Sequence, residues 1–447
     1  MFSRPQEVQE LYQEFVPGFR KRTAQRMLML VLGAILLRGP RTFTRVLAFL
    51  SRFVSGHFTT FYRVFSRPHW SCWKVGRILS RLVIESAPPD EPVTILTDTT
   101  VSEHPGRCVY GKAKHRDAVR SSHCFTAWRW GQKWVVLAMA VPIPFVQRRW
   151  ALPVMIALYR SQELNQQEGR RHKTPAQLAR QMMRILIGWF PERSFILVGD
   201  GDFSSHETAR FAQRYRRRLT FVGRFYRNAG LYDAPPPYTG NGRPRVKGAK
   251  RPTPEEILET ARRWKTRVDW YGGQRRRVSL VSGQGYWYQA GSGLVLLRWV
   301  HVEDREGTHR EEYFFSTDAT MPQKQIVEYY TLRWSIETTF QEVRAHLGFE
   351  TTRHWSRSAV ERVEPWLLVL FSIVSLIYTR YLQSHRPQVR QWPWYQKDEP
   401  TFTDALITVR RLIWVESIFG HPLFAAGVQK LRPSARETLL HYLTMAA

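Results

Sequence analysis

The chain has 447 residues, of which 43% are hydrophobic, and its 17 Trp, 18 Tyr and 25 Phe exclude an intrinsically disordered protein. Its 67 Lys and Arg residues against 37 Asp and Glu residues give a formal charge of +30. A globular protein this basic usually has a polyanionic partner, because its cations replace the counterions of phosphates; a generally basic, solvated surface is the alternative. The odd set of Cys72, Cys108 and Cys124 has no metal-ligand spacing, so it predicts no disulfide framework and is typical of a reducing compartment.

Two apolar runs raise the question of a membrane protein. They cover 27–37 and 366–378, which is 11 and 13 residues. Both are shorter than the ~18–20 residues that cross a bilayer. The N-terminus lacks the basic-then-apolar pattern of a signal peptide. We therefore expect core helices, no membrane contact and a cytoplasmic protein.

Residues 1–88 are predicted to be helical. The stretch 41–84 breaks at Gly56 and Pro68 into three short, basic, amphipathic pieces. Three such helices fit a helix-turn-helix DNA-binding domain, and they fit a small scaffolding bundle equally well. The Pro-rich segment 86–92 then predicts a domain boundary.

An alternation of strands and helices follows this segment. We predict strands at 93–98, 123–130, 133–141, 194–200 and 219–224, and helices from the N-cap Thr174 and over 206–218. Gly131-Gln132 predicts a hairpin between the second and third strands. The order strand, strand, strand, helix, strand, helix, strand is that of the RNase H-like α/β fold, whose sheet carries helices on both faces.

The composition changes over residues 225–320. A loop at 235–254 is dense in Pro, Gly, Lys and Arg. Strands are predicted at 277–282, 286–290, 293–303 and 311–317, which together indicate a β-rich insertion. Thr317-Asp318 is the predicted cap of a helix over 323–346, and helical segments follow at 359–384 and in the tail.

One helix carries a stripe of polar side chains. At ~100° per residue, Tyr330, Arg333, Glu337 and Arg344 fall within roughly 60° of arc. An exposed stripe of ion pairs is one interpretation. The other is a metal-binding carboxylate flanked by phosphate-binding groups.

Two aspartates end predicted buried strands, Asp98 and Asp200. An Asp there is often a turn former, but ligand sites also gather at strand ends in such sheets. These two carboxylates and Glu337 can converge, and divalent cations would relieve their repulsion. Oxygen ligands suit Mg²⁺. One ion can activate a water or a 3′-hydroxyl, and a second can stabilise the leaving oxygen.

The pattern Tyr330-x2-Arg333-x3-Glu337-x6-Arg344 resembles the Y-x2-R-x3-E-x6-K signature of DDE transposases from bacterial insertion sequences, in the branch with a β-rich insertion before the glutamate. LTDTT (96–100) and LVGDGDF (197–203) are similar to the two aspartate motifs of that family. The resemblance covers about 90–385. Arg344 departs from the family's Lys, which keeps the charge but changes the donor geometry.

This resemblance implies that Asp98, Asp200 and Glu337 are the catalytic residues and the ligands of two Mg²⁺ ions, with Mn²⁺ as a substitute. It implies DNA-phosphate contacts for Tyr330, Arg333 and Arg344. It also implies cut-and-paste transposition at terminal inverted repeats, with double-stranded repeat and target DNA as partners of a homodimer. Asp202 is a rival for the place of Asp200, which is preferred because it directly ends the apolar run.

Other side chains have two interpretations each. Trp334, Trp287 and Trp299 could stack on an unpaired base, or they could be core tryptophans. The histidines near the acids, His115, His123 and His206, have no zinc-ligand spacing and are taken as structural. The basic loops 111–116 and 243–251 are expected to contact phosphates, with solvated loops as the alternative.

The predicted organisation has five parts: a helical DNA-binding domain (1–88), the first part of an RNase H-like core (89–224), the β-rich insertion (225–320), the second part of the core with the glutamate helix (321–385) and a C-terminal helical region (386–447). Three alternatives to a transposase stay open. They are a metal-dependent nuclease without strand transfer, a non-catalytic DNA-binding protein derived from a transposase, and an RNA-binding protein.

Overall fold

The computed structural model describes residues 5–67, 69–117, 121, 124–240, 242–391 and 393–445. Its α-helices are α1 (Gln6–Phe15), α2 (Lys21–Leu36), α3 (Phe43–Phe49), α4 (Thr59–Ser66), α5 (Cys72–Glu85), α6 (Gln162–Gln167), α7 (Pro175–Trp189), α8 (His206–Arg214), α9 (Pro254–Leu258), α10 (Gln323–Leu332), α11 (Trp334–His346), α12 (Arg357–Tyr381), α13 (Phe402–Leu412), α14 (Pro422–Gln429) and α15 (Pro433–Thr444). A π-helical segment, Ile413–Phe419, extends α13.

The strands are β1 (Val93–Glu103), β2 (Ala113–Arg116), β3 (Trp128–Val141), β4 (Trp150–Tyr159), β5 (Phe195–Gly199), β6 (Leu219–Arg224), β7 (Leu231–Tyr232), β8 (Trp264–Asp269), β9 (Arg275–Gln289), β10 (Gly293–Asp304) and β11 (Glu312–Ser316). They form one mixed sheet in the order β2-β3-β1-β5-β6-β11-β10-β9-β7, with β4 also paired to β3 and β8 to β9. The chain is therefore α/β. Up to residue 224 strands and helices alternate as predicted in outline, but the second and third predicted strands are one strand, β3, and β2, β4 and α6 were not predicted.

The core lies on both faces of the central strands. Residues 93–97 of β1, all of β5 and residues 134–141 of β3 are buried without alternation. Successive strand residues point to opposite faces, so continuous burial means that both faces are covered. Side chains at the ends of these strands, where the covering helices stop, are therefore held by a rigid sheet.

The predicted hairpin at Gly131-Gln132 is wrong, because β3 is continuous through both residues. Gly131 pairs with Glu103 of β1 and with Ala113 of β2. A Cβ at Gly131 would lie 2.1 Å from the backbone oxygen of Ser102. The glycine permits close backbone approach within the sheet, which is its other common use in strands. His123, in the predicted strand 123–130, lies outside the described residues.

Strands within 225–320 are present, and they extend the central sheet. β11 pairs antiparallel with β6, and β10 and β9 continue from it. The strands predicted separately at 277–282 and 286–290 are one strand, β9. The boundaries that make this region an insertion remain a prediction.

The N-terminal helices pack on the core. The three helices predicted within 41–84 correspond to α3, α4 and α5. Phe65 of α4 contacts Trp366 of α12 with ring centroids 5.3 Å apart. The backbone N–H of Arg41 donates to the hydroxyl of Thr351 at 2.8 Å. These contacts fix the N-terminal region beside the end of α11.

The two apolar runs belong to α2 and α12, which are buried helices. Neither they nor any other helix in the described part of the chain is long and apolar enough to cross a membrane.

The helix predicted over 323–346 is divided at Arg333 into α10 and α11. Its N-cap is Pro322, so the predicted cap at Thr317-Asp318 is wrong. The carboxylate of Asp318 accepts the backbone N–H of Thr320 at 2.9 Å, which stabilises the turn before the helix.

Candidate active site

Two of the three predicted acids emerge from neighbouring parallel strands. Thr97 of β1 is in register with Gly199 of β5, and each acid is the next residue, Asp98 and Asp200. Asp200 follows the end of β5, as expected. Asp98 lies inside β1, which continues to Glu103, so the prediction that it ends its strand is wrong. The register alone brings these two carboxylates side by side.

The third acid is joined to the first through an arginine. Nη1 of Arg333 donates to Oδ2 of Asp98 at 2.7 Å, and Nη2 donates to Oε1 of Glu337 at 2.8 Å. The Arg333 side chain is 12% exposed, whereas that of Glu337 is 39% exposed. We call Asp98, Asp200, Glu337 and Arg333 the acid centre. The i,i+4 ion pair expected of an exposed stripe is present, but its arginine points into the protein.

The backbone at Arg333 is tighter than an α-helix. Its N–H donates to the carbonyl of Tyr330 at 3.1 Å, and its own carbonyl accepts from Ile336 at 3.0 Å. Both bonds span three residues, as in a 3₁₀ turn, and such turns within helices often mark functional positions. The turn sets the direction in which Arg333 leaves the helix.

Tyr330, whose carbonyl accepts the first bond of this turn, is packed against the sheet. Its ring is buried and stacks on Phe314 of β11, with centroids 4.0 Å apart. The guanidinium of Arg333 lies 5.9 Å from the centre of the same ring. Burial raises the pKa of the Tyr330 phenol to about 12. Tyr330 thus holds Arg333, and its predicted contact with a DNA phosphate remains a prediction.

The acids are held at an electrostatic cost. Burial raises the pKa of Asp98 to about 7, and the neighbouring Asp200 and Glu337 add to this, while Arg333 opposes it. Burial also raises the pKa of Asp200 above its usual range, again against the effect of Arg333. Close carboxylates in a poorly solvated site favour protonation unless a cation neutralises them. Arg333 is the cation that this chain provides.

Asp200 fits the site better than its rival Asp202. Asp200 is partly buried and feels the charge of Arg333, whereas Asp202 is exposed. The backbone N–H of Asp202 donates to Oδ1 of Asp200 at 3.1 Å, so Asp202 helps to orient that carboxylate. This geometry favours Asp200 as the second acid.

Arg344 ties α11 to β1 beyond Asp98. Its guanidinium donates to the hydroxyl of Thr100, to the carbonyl of Val101 at 3.2 Å and to Glu350 at 2.8 Å. These contacts give Arg344 a structural role. Its predicted contact with DNA is untested.

The three singled-out tryptophans have different surroundings. Trp299 is fully buried, as a core tryptophan would be. Trp287 packs edge-on against His206, with ring centroids 5.1 Å apart. Trp334 lines a cavity of about 780 Å³ together with Arg148 and Arg149. The same cavity is also lined by Asp269, Glu328 and Glu342, so its charge is mixed. Of the three tryptophans, Trp334 is the one placed beside an open space.

Two of the histidines singled out near the acids, His115 and His206, are buried, whereas His123 lies outside the described residues. Burial lowers the pKa of His115 to about 4, with Lys133 adding to the effect. His206 begins α8, and its Nε2 lies 3.1 Å from the carbonyl of Trp287. The predicted basic loop 111–116 is partly strand, because it contains β2. Within the other basic loop, 243–251, the ammonium of Lys247 stacks on the ring of Tyr232 at 3.9 Å.

The donor set of the acid centre suits hard divalent cations, since it consists of carboxylates. In the described parts of the chain, no three His, Cys, Asp or Glu side chains stand close enough together to hold a metal ion as they are arranged. The reason is visible in the geometry: Arg333 lies between Asp98 and Glu337. Withdrawal of this guanidinium would leave the acids open to another cation, so the residues fit a metal site with Arg333 displaced.

Sequence reasoning missed two features around this site. The first is the contact between Arg333 and Asp98, which are 235 positions apart in the chain. The i,i+4 spacing of Arg333 and Glu337 indicated an ion pair on the helix, but it did not indicate this longer-range contact. The other is a pair of exposed tryptophans, Trp128 and Trp130, at the start of β3. Their alternation with Arg129 in a strand was the available signal.

Comparisons with known proteins bear on this site. The family model described as DDE superfamily endonuclease matches residues 14–277, which is more than half of the chain. The match includes Asp98 and Asp200 and ends before Glu337. No curated protein sequence matches the chain. Among solved structures, the cryo-EM structure of a piggyBac transposase synaptic complex with hairpin DNA aligns with a TM-score of 0.43 and 11% identity, covering 98% of this chain and 81% of that one.

Proposed function

Because the chain belongs to the DDE superfamily endonucleases, we propose that it is a DNA transposase whose active site is formed by Asp98, Asp200 and Glu337. The observation that carries this proposal is the acid centre itself. Asp98 and Asp200 stand side by side on adjacent parallel strands, and Glu337 shares one guanidinium with Asp98. The order of strands and helices up to β6 supports an RNase H-like core.

In this proposal the three carboxylates hold two divalent ions, with Mg²⁺ as the natural metal and Mn²⁺ as a substitute. When bound, such ions activate the attacking oxygen and stabilise the leaving oxygen of an in-line phosphodiester displacement. The chain's own part is to hold three carboxylates at one place in a rigid sheet. The raised pKa values of Asp98 and Asp200 express how strongly this arrangement needs a cation.

Arg333 has two successive roles in the proposal. Without DNA, it neutralises Asp98 and Glu337 and keeps their side chains oriented. With DNA, its guanidinium turns to a phosphate, for which its planar donors are well suited. Arg344 and the phenol of Tyr330 are proposed to contact neighbouring phosphates, and Trp334 to stack on a base.

The proposed reaction is cut-and-paste transposition of an insertion sequence. Hydrolysis at each terminal inverted repeat frees a 3′-hydroxyl, which then attacks a phosphodiester of the target DNA. The N-terminal helices and the strands of 225–320 are proposed to grip the repeats, in a homodimer that joins two ends. The charge of +30 supports a DNA partner.

The test uses DNA taken from either side of the coding region, where this proposal expects short inverted repeats. The chain is incubated with that DNA, Mg²⁺ and a target plasmid, beside the variants Asp98→Ala and Glu337→Ala. Asp90→Ala removes an exposed carboxylate near β1 and is the matched control. We expect cleavage and joined products with the parent and the control, and neither with the two variants.

Two results would change this conclusion. Undiminished cutting by both acid variants would refute the assignment of the site. Cutting without joined products would favour the related alternative, a metal-dependent DNA nuclease.

A further inference from the structure

The edge of the sheet formed by β2 and the start of β3 has an unusual outward face. Trp128 and Trp130 are 53% and 59% exposed, although large aromatic side chains are usually buried. Lys114 and Arg116 of β2 are exposed beside them. We call these four residues, with Lys112, the aromatic–basic surface.

The strand register arranges these side chains in pairs. Lys114 lies opposite Trp130, and Arg116 lies opposite Trp128, so all four point to the same face. The ammonium of Lys114 lies 5.0 Å from the ring centre of Trp128, and that of Lys112 lies 5.9 Å from Trp130. The cations therefore border the rings and leave ring surface in contact with solvent.

The charges on this face differ in their partners from the charge on the opposite face of β3. Among the residues that the structure describes, no carboxylate forms an ion pair with Lys114 or Arg116. Arg129, on the opposite face of β3, pairs with Asp117 at 2.6 Å and with Glu103 at 3.0 Å. The contrast within one strand indicates that the outward face is built for an anion from outside.

This face is also the face of the acid centre. Along β1 and β3, Thr100 pairs with Trp134 and Ser102 with Gln132, and side chains of paired residues share a face. Asp98, Thr100 and Ser102 alternate along β1, so they point the same way as Trp130 and Trp128. Glu103, which is in register with Gly131, lies five residues beyond Asp98, about 17 Å at ~3.3 Å per residue.

We propose that Trp128 and Trp130, flanked by Lys112, Lys114 and Arg116, form a stacking platform for an unpaired nucleic-acid strand. Flat rings recognise the faces of bases, and these faces are accessible only when the bases are unpaired. The cations bind the phosphates between the stacked bases. A duplex would offer phosphates to the cations and nothing to the rings.

The placement suggests which strand binds there. Thr100 and Ser102, which lie between the acid centre and the platform on β1, are buried, with Arg344 of α11 bonded to Thr100. A single strand that leaves the acid centre in this direction would pass over Arg344 and reach the platform after a few nucleotides. This choice of strand rests on the proposed function, whereas the stacking does not.

The test measures binding of the full chain in EDTA, so that no cleavage occurs. Three fluorescent probes of equal length are compared by anisotropy: oligo(dT), an oligomer of abasic sites, and a duplex. The abasic oligomer carries the same phosphates without bases, so it isolates the contribution of stacking. We expect oligo(dT) to bind at least about 10-fold more tightly than the abasic oligomer.

Variants then locate that contribution. Trp128→Ala combined with Trp130→Ala is expected to weaken oligo(dT) binding by roughly 100-fold and to leave duplex and abasic binding within about 2-fold. Trp130→Phe keeps a ring and should retain most of the affinity, which guards against a folding defect. Trp394→Ala removes another highly exposed tryptophan and is the matched control. Oligo(dT) containing 5-iodouracil should form photo-crosslinks to Trp128 or Trp130.

Equal binding of oligo(dT) and the abasic oligomer would overturn the proposal, as would a double variant that binds all three probes like the parent. A double variant that loses binding to all three probes equally would assign the surface to phosphate contacts shared with duplex DNA. A double variant that instead changes the oligomeric state of the DNA-free chain would assign it to protein contacts. Because EDTA excludes catalysis, the platform can stand if the acid variants refute the proposed function, and it can fail while cleavage persists.

Discussion

The acid centre and the aromatic–basic surface share one face of one sheet, but their charges are arranged in opposite ways. In the acid centre, Arg333 is already paired with Asp98 and Glu337, so its charge is used inside the protein. On the aromatic–basic surface, Lys114 and Arg116 face solvent. In the acid centre, the guanidinium of Arg333 must therefore move away before a metal ion can bind. The aromatic–basic surface, in contrast, has only to release its counterions when it binds a phosphate.

The largest expected effect tests whether the acid centre is the catalytic part of this pair. Asp200→Ala is expected to reduce the cleavage rate about 1000-fold or more, because several kcal/mol of metal-assisted stabilisation are lost. Asp202→Ala, two residues away and exposed, is expected to stay within about 10-fold of the parent. Cleavage rates on element-end DNA measure both. The reverse result would make Asp202 the second acid.

The next prediction concerns the internal cation. Arg333→Gln leaves Asp98 and Glu337 without their partner, and we expect the free energy of unfolding to fall by about 4 kcal/mol. Mn²⁺ should restore part of this loss, since it can replace the guanidinium between the carboxylates. Denaturant unfolding with and without MnCl₂ measures the effect.

Arg180→Gln is the control for this experiment, because its partner Glu207 is exposed and is not part of the acid centre. Recovery by Mn²⁺ in both variants would show a general metal effect. An Arg333→Gln protein as stable as the parent would contradict the role given to Arg333.

Glu364, a buried carboxylate outside the acid centre, provides a test of how burial alone affects stability. Burial raises the pKa of Glu364 to about 7, with Glu350 adding to this and the hydroxyl of Thr352 opposing it. The folded state then holds a proton that the unfolded state has lost between pH 4.5 and about 7. The free energy of unfolding therefore falls as the pH rises through this window, by up to about 3 kcal/mol from Glu364.

Glu364→Gln mimics the protonated side chain and should remove this part of the pH dependence. Asp98, with its pKa of about 7, contributes in the same direction. Mg²⁺ should suppress the part due to Asp98 and leave that due to Glu364, as thermal unfolding at several pH values would reveal. A profile unchanged by Glu364→Gln would contradict the burial argument.

The smallest expected effect belongs to the aromatic–basic surface. Lys114→Gln and Arg116→Gln should each reduce the slope of log K for oligo(dT) against log salt by about 0.7, because each removes one phosphate contact. Titrations between low and moderate salt measure the slope. Lys430→Gln, at an exposed position after α14 in the C-terminal region, is the control and should leave it unchanged.

Local patterns in the sequence predicted much of this architecture. The capping box at Thr174, with Pro175 next, located the start of α7, and buried apolar runs located β1 and β5. The convergence of Asp98 and Asp200 followed from their positions on two strands. These features depend on neighbours in the chain, so the sequence carries them directly.

What was missed depends on residues far apart in the chain. Gly131 was taken for a turn because the demand on it comes from the backbone of Ser102, which local reasoning does not include. The helix of Glu337 was predicted as continuous, although its tight turn at Arg333 accompanies a contact with β1. The exposure of Trp128 and Trp130 depends on which part of the sheet the helices leave uncovered, and this is decided by residues elsewhere in the chain.

The pairing of β11 with β6 has a consequence for how DNA would be measured out. Phe315 and Ser316 are bonded in register to Gly223 and Val222, so the strands of 225–320 and the acids belong to one stiff sheet. A DNA segment bound to those strands would therefore lie at a fixed distance from Asp98 and Asp200. The distance from the gripped bases to the cut would then be set by strand register, and a one-residue deletion in β11 should move the cut site or abolish cutting, because it turns every following side chain to the other face.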